Sequence, residues 1–211
     1  ITSAEEQPVL PKGNNLSLHL LELFTSQVAK VGMTDGIRQV LQEESDALRA
    51  YYEQAGILIA RPAGGTSCRL AISAKGGTNA ENHNHNDVGS YAVALGSETM
   101  VGDQGGPNSY PGDYFNGDAP QKYKIKGSFG HPVPVVDGRT QSSGGKAKGV
   151  VLQKEFTNEK DVFSIDYTSA YSTPNLDKLI RTFVYDRQGK GSFTVGDEFT
   201  AKTPIRFETA I

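Results

Sequence analysis

Tryptophan is absent from this chain, cysteine occurs once in 211 residues, and neither sign of charge dominates. The lone Cys68 cannot close an internal disulfide, which excludes the small disulfide-stapled extracellular module and leaves a buried, inert thiol as the expectation. No run approaches the roughly 18 apolar residues of a membrane-spanning helix. The start ITSAEEQPVL carries neither a basic nor an apolar signal-peptide region, so no membrane partner is expected. Lys plus Arg number 21 against 24 Asp plus Glu, a formal net charge of −3. That balance argues against a protein that coats nucleic acid; a polyanionic partner would need a local basic groove.

What is abundant is glycine, 24 residues, with nine Tyr and nine Phe scattered through β-branched stretches. This is the texture of many strands joined by tight turns. Two helical patterns come first. Leu16, Leu20, Phe24 and Val28 recur at a four-residue spacing, with Asn14 or Asn15 as cap. Ile37, Val40, Leu41, Leu48 and Tyr51 extend a second helix to about Gln54, before Gly56. From Gly56 onward short apolar runs alternate with Gly-rich turns: Ile57 to Ala60, Cys68 to Ser73, Ser90 to Leu95, Thr99 to Val101, Val150 to Phe156, Val162 to Tyr167, Leu179 to Tyr185, Ser192 to Val195 and Ile205 to Phe207. Asp186 to Gly191 reads as a hairpin loop. The spacing predicts a mainly β chain, an antiparallel β-sandwich over 56–211 that continues beyond Ile211, after a helical segment over 1–55. Between Gln104 and Lys124 lies a Gly- and Pro-rich loop with Tyr110, Tyr114, Phe115 and Tyr123, and loops of that length in compact domains carry function.

Chemistry concentrates in Asn82-His83-Asn84-His85-Asn86-Asp87. If extended, the two-residue period puts His83, His85 and Asp87 on one face, two imidazoles and a carboxylate. Those donors suit zinc, and closed sites draw ligands from several strands. Asp103, after the strand ending at Val101, and His131, before Val133 to Val136, are the downstream candidates. An H-x-H pair alone fits a polar surface as well as a metal site. For Asp87 the expected role is local, a carboxylate that bonds nearby backbone and holds the turn into the next strand. His19 is read as incidental. Lys122, Lys124 and Lys126 alternate as a solvated strand face would, or as contacts to a polyanionic sugar.

The ordered features NHNHNDVGSYAVALGSETMVGDQGGPNSY and GSFGHPVPVVDG resemble the heparinase II/III-like family of polysaccharide lyases, densest between Glu81 and Gly138. The resemblance implies a two-part enzyme, a helical toroid followed by a supersandwich-like antiparallel β-sandwich, with the substrate groove between them. The helices before Gly56 then correspond to the end of that toroid, most of which is missing from this chain. It further implies that His83 faces the groove and is catalytic, that His85, Asp103 and His131 hold a structural zinc, and that Tyr110 or Tyr114 lines the groove. Pro132, where relatives commonly carry Asn, and Gln104, where they carry Pro, depart from the family pattern without removing a proposed ligand.

The implied reaction is β-elimination in an acidic, uronate-containing polysaccharide such as heparin, heparan sulfate, chondroitin or alginate. The implied location is periplasmic or secreted, and a homodimer is compatible with it. Two rival readings remain at this level. One is a cupin-like metalloenzyme, although VGSYAVALGS after Asp87 lacks the glutamate that cupins place there. The other is a non-catalytic, zinc-stabilised carbohydrate-binding module.

Overall fold

A computed structural model describes residues 47–103, 106, 107 and 109–209. The first helical pattern, and all of the second before Ala47, lie outside the described residues.

Two antiparallel sheets dominate. The first contains β1 (Arg49–Tyr52), β2 (Ile57–Ala60), β3 (Leu70–Lys75), β5 (Tyr91–Leu95) and β6 (Glu98–Val101), in the order β1-β2-β3-β5-β6. The second contains β9 (Val150–Phe156), β10 (Lys160–Asp166), β11 (Leu176–Asp186) and β12 (Ser192–Ala201), in the order β12-β11-β10-β9. Two short ribbons flank them: β4 (Thr78–Asn79) with β8 (Gly144–Lys148), and β7 (Pro134–Val136) with β13 (Phe207–Thr209).

The sheets stack because alternate residues on their facing sides are apolar. Leu58 and Ala60 of β2, Ile72 and Ala74 of β3, Phe163 and Ile165 of β10, and Leu179, Phe183 and Tyr185 of β11 are all buried in one cluster. This is the period-two pattern of a sandwich interior. Aromatic rings bridge the layers: Tyr51 lies 5.8 Å from Phe163, and Tyr91 lies 6.1 Å from Phe183. Phe183 is also stacked between Phe163 and Phe193, at 6.0 and 6.1 Å. Cys68 is buried, its Sγ 3.6 Å from the Tyr185 hydroxyl.

The strands expected after Gly56 form, with β2 and β9 at the expected bounds and a hairpin at Asp186. The second helical pattern fails at its end: Arg49–Tyr52 is strand β1, paired residue for residue with β2. The spacing of Leu48 and Tyr51 suits a helix, but the strand lets Tyr51 pack on Phe156 and Phe163, and that tertiary contact overrides local propensity. Gly56 closes the turn at φ +61°; a Cβ there would stand 2.6 Å from the Gly77 backbone nitrogen. The sheet therefore begins before Gly56. Strands β4 and β8 escape the sequence pattern because one is two residues long and the other is GGKAK, almost without apolar signal.

A buried charge lattice ties the outer end of β2 to the second sheet. Asp161 pairs with both Arg49 and Arg187. Arg187 also donates to the carbonyls of Arg61 and Leu48, at 2.7 and 2.9 Å. The histidine-bearing loop leaves the first sheet at the other end, where β3 finishes at Lys75 and β5 starts at Tyr91.

Candidate metal centre

Three separate connections converge at that end. His85 lies in the loop between β4 and β5. Asp103 follows β6 by two residues, and His131 sits between a 3₁₀ turn (Ser128–Gly130) and β7. One ligand atom from each of the three falls within 4.8 Å of the others. His85 Nδ1 is 3.1 Å from His131 Nε2, and His131 Nδ1 is 3.2 Å from Asp103 Oδ2.

These residues fit a zinc ion. Zinc takes imidazole nitrogen and carboxylate oxygen, and one such atom from each residue lies within 4.8 Å of the others; the two short distances reach opposite nitrogens of the His131 ring, of which one can face a given ion. His131 is buried, and its Nδ1 makes no well-aligned hydrogen bond despite the nearby carboxylate, as expected of a donor turned toward an ion. Burial, and then the neighbouring His131, hold the His85 imidazole below its ordinary pKa against the opposing pull of Asp103 and Asp87. Neutral imidazole at neutral pH is the form that ligates metal.

A floor of buried amides fixes the His85 loop. The Gln141 side chain acts as a strand would, donating to the Val88 carbonyl at 2.7 Å and accepting from the Val88 N–H at 3.0 Å. Asn79 donates to Gln141 Oε1 at 3.0 Å and accepts from the Asp87 N–H at 3.1 Å. Asn86 donates to the Gln141 carbonyl and to Ser143 Oγ, at 3.0 and 3.1 Å. Each of these amides is under 4% exposed, so each unmade bond would carry a full desolvation cost. The Asp87 carboxylate pairs with Lys75 at 2.5 Å, where a bond to nearby backbone was expected; the turn is closed by its backbone carbonyl, which accepts from Ser90 N–H at 2.9 Å.

The single-face expectation for the histidine tract does not hold. The tract is a turn, not a strand, and His83 adopts φ +58°. With the two-residue period broken, only His85 joins Asp103 and His131. His83 is exposed and stacks on Phe115, ring centroids 4.4 Å apart.

The long loop divides its tyrosines. Tyr110 is 56% exposed, whereas Tyr114 is 1% exposed and forms the inside of the loop, so Tyr114 does not line an open surface. It packs against the rings of Tyr110, Phe115 and Tyr123 and beneath Lys126, whose ammonium lies over the Tyr114 and Phe115 rings at 4.7 and 5.1 Å and donates to the Tyr114 carbonyl at 2.7 Å. The lysine alternation is likewise not a strand face. Lys122 closes a short helix, α1 (Ala119–Lys122), and pairs with Asp113. Lys124 and Lys126 span a 3₁₀ turn in which Lys126 is buried, and burial lowers its pKa.

Sequence reasoning missed Gln141, and it named Phe115 and Lys126 without the contacts they make. Phe115 had a signal, its place in the aromatic loop. Lys126 was legible only as a charge, and Gln141, 53 positions from Val88, had no local signal.

Scanned against family models and against curated proteins, the sequence matches none. Solved structures do match. A heparan sulfate lyase HepC mutant from Pedobacter heparinus superposes with a TM-score of 0.61 at 18% identity, over 88% of this chain and 28% of that one. A heparinase III structure gives 0.55 at 19%, over 74% and 23%, and a second heparinase III gives 0.59 at 14%, over 88% and 28%. The chain thus spans about a quarter of the length of these structures, 23–28%. At these identities the likeness speaks to architecture, and on it the stacked sheets have the β-sandwich fold of the heparinase-like polysaccharide lyases.

Proposed function

We propose that this chain is the metal-carrying β-portion of a polysaccharide lyase that cleaves a uronate-containing polysaccharide by β-elimination. The observation that carries the reading is an exposed histidine, His83, two residues from a clustered His85–Asp103–His131 set, within a sandwich shared with heparan sulfate lyases.

The chemistry removes the proton α to the uronate carboxylate. The C4–O glycosidic bond then breaks, a C4–C5 double bond forms, and the leaving oxygen takes up a proton. That α proton is weakly acidic, so the site must place a base beside it and stabilise charge developing on the carboxylate. In this reading His83 is the base or charge stabiliser, with its ring held by Phe115, and Tyr110 offers an exposed ring to the sugar. The remaining groups come from a helical toroid that precedes the sandwich. His85, Asp103 and His131 would hold a structural zinc, whose charge would tie three loops together. A periplasmic or secreted location, an acidic polysaccharide partner and a homodimer go with this reading. The cupin-like alternative is less favoured, because the solved structures described above are lyases and VGSYAVALGS after Asp87 lacks the glutamate that cupins place there.

The test is to join the chain to its toroid and assay heparin, heparan sulfate, chondroitin and alginate by ultraviolet absorbance of the unsaturated uronate end. Activity that falls about 10²–10⁴-fold in His83→Ala, with zinc content unchanged, is the expected result. A folded, zinc-loaded protein inactive on every uronate polymer would favour the non-catalytic carbohydrate-binding module instead.

A further inference from the structure

Arg181 sits in the middle of β11 and is 1% exposed. Its guanidinium is anchored from below by a two-pronged pair with Asp197 of β12, Nε to Oδ1 at 2.8 Å and Nη2 to Oδ2 at 2.6 Å. The Tyr167 hydroxyl donates to the same carboxylate at 2.8 Å, which fixes the acceptor. The remaining prong, Nη1, points out of the second sheet and donates to two backbone carbonyls, Gly89 at 2.9 Å and Pro132 at 2.7 Å.

Those carbonyls belong to different loops. Gly89 ends the tract that carries His85, and Pro132 is bonded directly to His131. Gly89 is seated on this platform in a way only glycine allows: its φ is +87°, and a Cβ there would stand 3.3 Å from the Tyr167 ring and 3.7 Å from Arg181 Cδ. One rigid fork, itself locked by a carboxylate and a tyrosine, therefore sets the separation of two backbones that must hold imidazoles 3.1 Å apart. A planar guanidinium can do this because its donors are fixed relative to one another; an ammonium cannot bridge the same acceptors in that geometry.

We propose that Arg181 is the positioning residue of the metal centre, a strut from inside the sandwich that holds the His85 and His131 loops at ligating distance. The proposal rests on the zinc reading above. It assigns to the second sheet, which contributes no ligand, control over metal affinity.

The experiment is zinc titration by calorimetry on the full chain stripped of metal, comparing wild type, Arg181→Lys, Asp197→Asn and Arg187→Lys, each checked for fold by circular dichroism and thermal midpoint. Arg187 is the control, an equally buried arginine paired with an aspartate but bonded to strand-end carbonyls rather than to the ligand loops. Zinc binding about tenfold weaker in Arg181→Lys, weakened in Asp197→Asn, and unchanged in Arg187→Lys despite a lowered thermal midpoint, is the expected pattern. If Arg181→Lys does not fold, Asp197→Asn decides, since it keeps the arginine and loosens only its anchor. Wild-type affinity in the folded Arg181 or Asp197 variant overturns the strut and leaves the zinc site standing. Equal losses in Arg187→Lys also overturn it, because general destabilisation would then explain the effect. A wild-type chain that binds no zinc overturns the site and the strut together.

Discussion

The layer between the two sheets and the floor beneath the histidines are both buried, yet they are built from opposite materials. The layer is Leu58, Ile72, Phe163, Leu179 and Phe183, apolar groups whose burial gains free energy wherever they fit. The floor is Gln141, Asn79, Asn86 and the Arg181–Asp197 pair, polar groups that gain little net stability but tolerate one arrangement only. The difference separates two tasks: the layer makes the fold persist, and the floor makes the loop geometry unique. Variants of the layer should cost stability while the folded fraction keeps its zinc affinity, and variants of the floor should lose zinc affinity out of proportion to their cost in stability.

The largest effect is expected from Phe183→Ala, which empties the ring site between Phe163 and Phe193. A loss of roughly 3–5 kcal/mol in chemical denaturation, with unaltered zinc affinity of the folded protein, fits the division; a matching loss of affinity would break it. Next comes the metal itself. Zinc at a hundredfold excess over its Kd should stabilise the chain by about 2.7 kcal/mol. In His85→Ala that gain should vanish, and chelator should lower the thermal midpoint of wild type alone. Gln141→Leu keeps the volume but strips Val88 and Asn79 of their partners. Roughly 2 kcal/mol of stability should go, and zinc affinity should fall further than in Phe183→Ala, although Phe183 matters more to the fold. Phe115→Ala is the mildest. Phe115 is half-exposed, so stability should change by about 0.5–1 kcal/mol. Zinc binding should stay intact, and loss of the His83 stack should appear as altered ring chemical shifts of His83 by NMR.

Much of this was legible along the chain. Ile57 to Ala60 announces itself as a short apolar run whose burial alternates in the sheet, and Val150 to Phe156 by its apolar, β-branched start, although none of its side chains is buried. His85, Asp103 and His131 were legible as metal donors flanking strands, and the structure brings them together. Arg49–Tyr52 was misread as helix because the turn at Gly56 marks an end but not that the residues before it pair with β2. His83 was misread as a neighbour of His85 on one face because the period-two argument presumes extended backbone, which a residue at φ +58° does not have.

The sequence by itself determined the class of fold, the donors available for a metal, and the absence of a disulfide within the chain, since each follows from residue type and short-range period. Tertiary structure decided which histidine belongs to the cluster, which tyrosine is exposed, and that Lys126 lies over aromatic rings. It also decided that Gln141 and Arg181 hold loops remote from them in the chain. The physical reason is common to all of these. A buried hydrogen bond is specified by the meeting of two groups, and when those groups lie tens of residues apart neither carries a local mark of the other.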